Sequence, residues 1–164
     1  MAQYQDNNSE KTQQEHSNPG LRNLFKVDES TGVSKFRFYM LRSFYLIIII
    51  FLGIEVWTEI FTHREAWKPL PAVAYSFWAA FTLLSVIGIF HPLKMIPLLL
   101  VQFTYKLIWL LIVAYPLWTS GQLTGSASEE LTYVNLTGIV IDLLVIPWFF
   151  VFKNFFLPDS RKRR

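Results

Sequence analysis

The sequence predicts an all-α membrane protein, a four-transmembrane-helix bundle with both termini in the cytoplasm (N-in/C-in). Three observations carry that reading. Four apolar stretches, at about residues 40–62, 72–90, 95–118 and 133–152, each approach the roughly 20 residues needed to cross a hydrocarbon core. Only 16% of residues are charged, against about 25% in an ordinary soluble domain. Lysine and arginine are distributed unevenly between the two sides that the stretches define.

Residues 1–34 are polar and rich in Gln, Asn and Ser, too poor in apolar surface to fold alone, and read as a disordered cytoplasmic tail. Asn18-Pro19-Gly20 is a turn signal. After it, Leu21, Leu24, Phe25 and Val27 set against Arg22 and Lys26 are compatible with a short helix lying at the membrane surface. The first apolar run begins near residue 40 and is too long for the core of a signal peptide, so no cleaved leader is expected.

Residues 35–153 form the predicted bundle. The first span is β-branched and aromatic and is preceded by Lys35, Arg37 and Arg42. A short connection with two prolines, carrying Arg64, Glu65, Trp67 and Lys68, leads to a second span rich in small residues, among them Ala79, Ser85 and Gly88. Small side chains let helix backbones approach closely where no hydrophobic effect drives association. His91-Pro92-Leu93-Lys94 is a tight turn, and Pro97 falls in the first turn of the third span, where its missing N–H costs little. A Gly/Ser/Thr-rich loop carrying Glu129 and Glu130 precedes the fourth span, in which Pro147 predicts a kink. Residues 154–164 are a basic cytoplasmic tail.

Four spans place both termini on one side. That side carries Lys26, Lys35, Arg37, Arg42, Lys94, Lys153 and the Arg161-Lys162-Arg163-Arg164 cluster, and the other carries only Arg64 and Lys68. The positive-inside rule makes the first side cytoplasmic. The same basic flanks account for the pI near 9.2, and no nucleic-acid partner is expected. With no cysteine in the chain, disulfide frameworks, thiolate metal sites, iron–sulfur clusters and cysteine nucleophiles are excluded.

The unusual chemistry lies at mid-membrane. Lys106 stands near the middle of the third span, where a charge costs about 2.5–3.5 kcal/mol on insertion scales. Placed by depth at 1.5 Å per residue, Glu55, Thr82, Lys106 and Asp142 fall at nearly one level, one from each span. Gln102 is one turn from Lys106 on the same face, and Glu59 and His63 continue the Glu55 line toward the outer surface. The expectation is a buried polar layer facing the bundle interior, with Lys106 paired to Asp142, to Glu55, or to both. Two acids and one base would leave an excess negative charge there, which a proton or cation could neutralise. Such a layer serves either to fix helix register or as a site for ligand or proton, and the residues alone leave both readings open.

Other patterns are weaker. Glu55, Glu59 and His63 are too few to read as a metal site, and none is assigned. Trp78, Tyr105, Trp109 and Tyr115 suggest either ordinary bundle filling or an aromatic pocket for a flat ligand. Asn135-Leu136-Thr137 matches a glycosylation pattern but lies inside a span. With no glycine-rich phosphate loop and no nucleophile–base–acid arrangement, neither catalytic residues nor a cofactor are assigned.

The His91-Pro92-Leu93-Lys94 turn, Pro97-Leu98-Leu99-Leu100 and Lys106-Leu107-Ile108-Trp109 resemble a segment of small, uncharacterised bacterial four-helix integral membrane proteins, over about a fifth of the chain. In size and span count the chain also resembles DoxX-like proteins. These likenesses are architectural and imply no activity. They imply a multi-pass protein of a bacterial inner membrane. The expected function is non-enzymatic: a small module acting as a partner subunit or binding a small ligand, in contact with the bilayer and with a second copy or another membrane protein. The alternative is a proton-coupled small transporter or channel, oligomeric because four helices enclose little space.

Overall fold

The computed structural model describes residues 24–28 and 31–156. Most of the expected N-terminal tail, including Leu21 and Arg22, and the basic cluster at 161–164 lie outside the described residues. Every named element is helical, and the described residues form no strand, only an isolated antiparallel bridge between Val27 and Ser34. Three helices are long and apolar enough to cross a membrane: α1 (Lys35–Thr62), α2 (Pro69–Phe90) and α3 (Ile96–Thr119). A fourth stretch meets that test only when its two limbs, α4 (Glu129–Val145) and α5 (Trp148–Phe155), are taken together, and they meet at 74°.

Helix starts follow local chemistry. Ser34 caps α1, its side-chain oxygen accepting from the Arg37 N–H at 3.3 Å. Prolines occupy the first turns of α2 and α3, where a missing donor is harmless. Glu129 and Glu130 open α4 earlier than the polar loop suggested, because carboxylates favour the positive end of a helix. Of the expected surface helix near residue 25, Leu24 and Phe25 are helical, and Phe25 packs its ring against Phe36 with centroids 5.2 Å apart.

Two of the three long helices carry a π turn, at Ile49–Gly53 in α1 and Leu110–Ala114 in α3. Each such turn inserts one extra residue and swings the following helix by about 100° relative to an uninterrupted α-helix. Burial records the shift. In α1 the buried positions Leu41 and Ile48 are seven apart, but beyond the π turn the buried positions are Gly53 and Val56, the latter eight after Ile48. In α3 Leu99 and Lys106 are seven apart and Ala114 follows eight later.

The helices pack as two hairpins, α1 on α2 and α3 on α4, joined through α1 against α4 and α2 against α3. On α2 the buried face carries a stripe of small residues, Ala79, Thr82, Ser85 and Gly88, at every third position, beside buried Phe81. Gly88 sits under the Tyr45 ring, and a Cβ there would lie 2.6 Å from it. Tyr45 itself is fully buried and donates its hydroxyl to the Pro92 carbonyl at 3.4 Å. Outward faces carry exposed Phe51, Phe61, Leu83, Leu111 and Leu144, a surface suited to lipid rather than water.

The kink expected in the fourth stretch is a full break. Pro147 has no N–H to return to the Leu143 carbonyl. The Trp148 indole N–H takes that place at 3.0 Å, and Arg37, reaching across from α1, donates to the Ile146 carbonyl at 3.3 Å. Freed backbone groups are thus answered by side chains, as a bilayer setting requires.

The Tyr45–Gly88 contact makes a prediction. Gly88→Ala should lower stability by about 1–3 kcal/mol through overpacking. In thermal unfolding in detergent, Tyr45→Leu combined with Gly88→Ala should cost clearly less than the sum of the two single changes, because the ring that the new methyl meets is gone. Additive losses would count against this contact.

Candidate functional site

The site is built from the second hairpin. Lys106, one turn from Gln102 on α3, extends across α4 to Asp142, where its Nζ donates to Oδ2 at 3.0 Å. Gln102 Nε2 donates to the other carboxylate oxygen, Oδ1, at 3.3 Å. One carboxylate therefore receives both polar side chains. Asp142 is 0% exposed, Lys106 6% and Gln102 7%. An isolated charge at such a site would be very costly, whereas a paired and hydrogen-bonded one is tolerable.

Gly138 makes the reach of Lys106 sterically allowed. A Cβ at that position would stand 2.5 Å from Nζ and 2.9 Å from Cε. The end of the lysine side chain passes over Gly138, one turn before the acid it pairs with, and a Cβ there would force it to shift.

Gln102 Oε1 is buried and has no hydrogen-bond partner among the described residues. The orientation of the amide is chemically dictated, because an ionised carboxylate accepts only and must face the NH2. The orphan is therefore an acceptor. Gln102 and Lys106 both line a cavity of about 500 Å³ between the hairpins, to which all four long helical segments contribute. Its walls are otherwise mostly apolar and aromatic, with Phe51, Trp78, Phe81 and Tyr105 prominent and Thr137 among the lining residues. Exposed Ile47, Phe51 and Ile141 are among the residues bordering it, so the cavity meets the exposed apolar surface between α1 and α4.

The polar residues of the expected layer and of the Glu59–His63 line do not form one cluster but separate into three groups, with Glu55 apart from them. The first is Gln102, Lys106 and Asp142. Thr82, buried on α2, accepts the Trp57 indole N–H at 3.1 Å and donates to its own Ala79 carbonyl, which ties α1 to α2 without reaching Lys106. Glu55 departs from the expectation: it is exposed, and neither lines the cavity nor pairs with Lys106. The π turn at Ile49–Gly53 is the cause, since Val56 takes the inward position that a regular helix would give Glu55.

Glu59 and His63 form the third group. Glu59 Oε1 lies 3.0 Å from His63 Nδ1, and the imidazole stacks on Trp67 with centroids 3.7 Å apart. This anchors the connection after α1, away from the cavity. Among the described residues no three His, Asp or Glu side chains assemble into a metal-holding group. Of the aromatic residues considered for a pocket, Trp78 and Tyr105 line the cavity, whereas Trp109 and Tyr115 do not.

Gly138 and the free acceptor of Gln102 escaped the sequence reading. A glycine four residues before a buried acid is a weak signal without knowing which helix lies opposite. The chain is thus a helical protein with membrane-length apolar helices and a buried ion pair whose lysine lines a cavity. Comparison with protein-family models, curated proteins and solved structures found no match.

The pair makes a quantitative prediction. Lys106→Met or Asp142→Leu alone should cost about 3–5 kcal/mol, and the double change markedly less than their sum. Lys106→Met with Glu55→Gln should be additive within about 0.5 kcal/mol. Gly138→Ala should be damaging with Lys106 present and mild in the Lys106→Met background. Thermal unfolding of purified variants measures all three, and strong coupling to Glu55 would contradict the geometry.

Proposed function

We propose that this chain is a four-helix integral protein of a bacterial inner membrane, both termini cytoplasmic, that binds a small, largely apolar, amphipathic ligand inside the bilayer. The observation that carries the reading is the cavity of about 500 Å³, apolar on most of its wall, with Lys106 and Gln102 converging at one polar corner. Its size falls within the roughly 300–1,000 Å³ of small-molecule sites, and an apolar wall with few placed polar groups is their usual composition. The opening toward lipid suits a ligand that arrives from the bilayer. In this role the chain acts as a binding module, by itself or as the ligand-holding subunit of a larger membrane assembly.

The rival reading, proton-coupled transport, finds less support. Glu55 and Glu59 stand apart from the cavity, and Asp142 is sealed beneath Lys106 and Gln102 instead of facing a polar path. The crossing of the bent α4–α5 stretch, and with it the cytoplasmic placement of both ends, rests on the lopsided distribution of Lys and Arg.

Two experiments test this. Reporter fusions after residue 126 and at the C-terminus should report opposite sides of the membrane, and identical readouts would remove the four-crossing arrangement. Solvent extraction of the purified protein followed by mass spectrometry should yield a lipid-soluble compound near one equivalent. Thr137→Trp, which places a large ring at the cavity wall, should accumulate normally in membranes and lose that compound. A wild-type protein with no extractable compound, combined with proton flux in proteoliposomes, would favour transport instead.

A further inference from the structure

We infer that the polar corner of the cavity selects a neutral hydroxyl head group on an apolar body, in preference to an anionic or a headless molecule. The inference rests on the cavity being a ligand site, and it deepens that reading by naming the ligand's chemistry.

The argument is one of unsatisfied groups and of charge. Gln102 Oε1 is a buried acceptor with no donor among the described residues, and its residue is 7% exposed and lines the cavity. Leaving such a group unpaired is costly, so an occupant that donates to it gains the difference. Four residues further along α3, Lys106 Nζ carries three N–H donors, of which one is directed to Asp142 among the described residues. The corner therefore offers one acceptor and spare donors, side by side on one helix face. A group that both donates and accepts answers it, and a hydroxyl is the smallest such group on an organic molecule.

Charge decides against an anion. Lys106 and Asp142 already neutralise each other at 3.0 Å. A carboxylate or phosphate entering the corner would bring a second negative charge into an apolar surround, beside both Asp142 and the bare amide oxygen of Gln102. The lysine cannot fully serve two anions, and burial of an uncompensated charge is strongly unfavourable. A pure hydrocarbon fills the aromatic body of the cavity but leaves Oε1 unpaired. The site thus ranks alcohol above alkane and above fatty acid.

Native mass spectrometry of the full chain released from detergent micelles reads the ranking directly, with 1-dodecanol, dodecane and dodecanoate as probes at equal mole fraction in the micelle. Wild-type protein should hold 1-dodecanol about tenfold better than either of the others, the ratio expected for one buried polar group satisfied or left bare. Gln102→Met should bring 1-dodecanol down to the level of dodecane while dodecane binding persists. Equal binding of dodecane and 1-dodecanol by the wild type would overturn the head-group inference and leave the cavity reading standing, as would tighter binding of dodecanoate. Binding of none of the three would overturn both. Retained alcohol preference in Gln102→Met would also overturn it, since the acceptor would then play no part.

Discussion

A lysine ammonium in the interior of a lipid-facing bundle imposes conditions on everything near it. Its desolvation must be answered by a carboxylate, and Asp142 stands at the right height on α4 to do so. That carboxylate has a second oxygen to satisfy, which Gln102 covers from the same helix as the lysine. The stem of Lys106 must pass over α4 to arrive there, so the residue beneath it is Gly138. The pairing of α3 with α4, their register and the small residue at their crossing all follow from the need to neutralise one charge. In a bilayer, where apolar faces gain little by leaving lipid for one another, such a polar contact gives two helices a specific reason to associate in one register.

Much of this was legible in the sequence because membranes simplify the problem. Apolar runs of fixed length mark the helices, and depth can be counted in residues, so Lys106 and Asp142 could be set at one level without knowing how the helices turn. Gln102 followed from helical periodicity over a single turn. Glu55 shows where counting fails. It faces away from the expected side, because the π turn at Ile49–Gly53 advances the helix by one residue. Nothing in IIFLG distinguishes that turn from ordinary helix by composition, and the information resides in how α1 packs on α2 and α4. The break at Pro147 was visible in kind but not in degree. Its 74° angle depends on partners for the freed carbonyls, and these come from Trp148 and from Arg37, more than a hundred residues away in sequence.

The two hairpins differ in how they are held. The first is closed by size: a stripe of small residues on α2 receives Tyr45, with Trp57 and Thr82 as the polar link. The second is closed by charge. The hairpins share one buried apolar cluster, with Leu41, Tyr45, Leu99 and Ile146 among its members, and the cavity lies beside it, with Phe44, Ile48 and Phe81 common to both.

The unequal lengths of the helices have a consequence for the membrane itself. At 1.5 Å per residue, the 28 residues of α1 span about 42 Å, and the 17 residues of α4, up to the break, only about 26 Å. A hydrocarbon layer of about 30 Å is too thin for the first and slightly too thick for the second. In the four-crossing arrangement α1 would tilt, and lipids beside α4 would be drawn inward around the turned-out Trp148–Phe155 limb. The protein would then sit in an asymmetric dimple, and it should partition toward thin or short-chain regions of the bilayer, where the deformation around α4 is smallest.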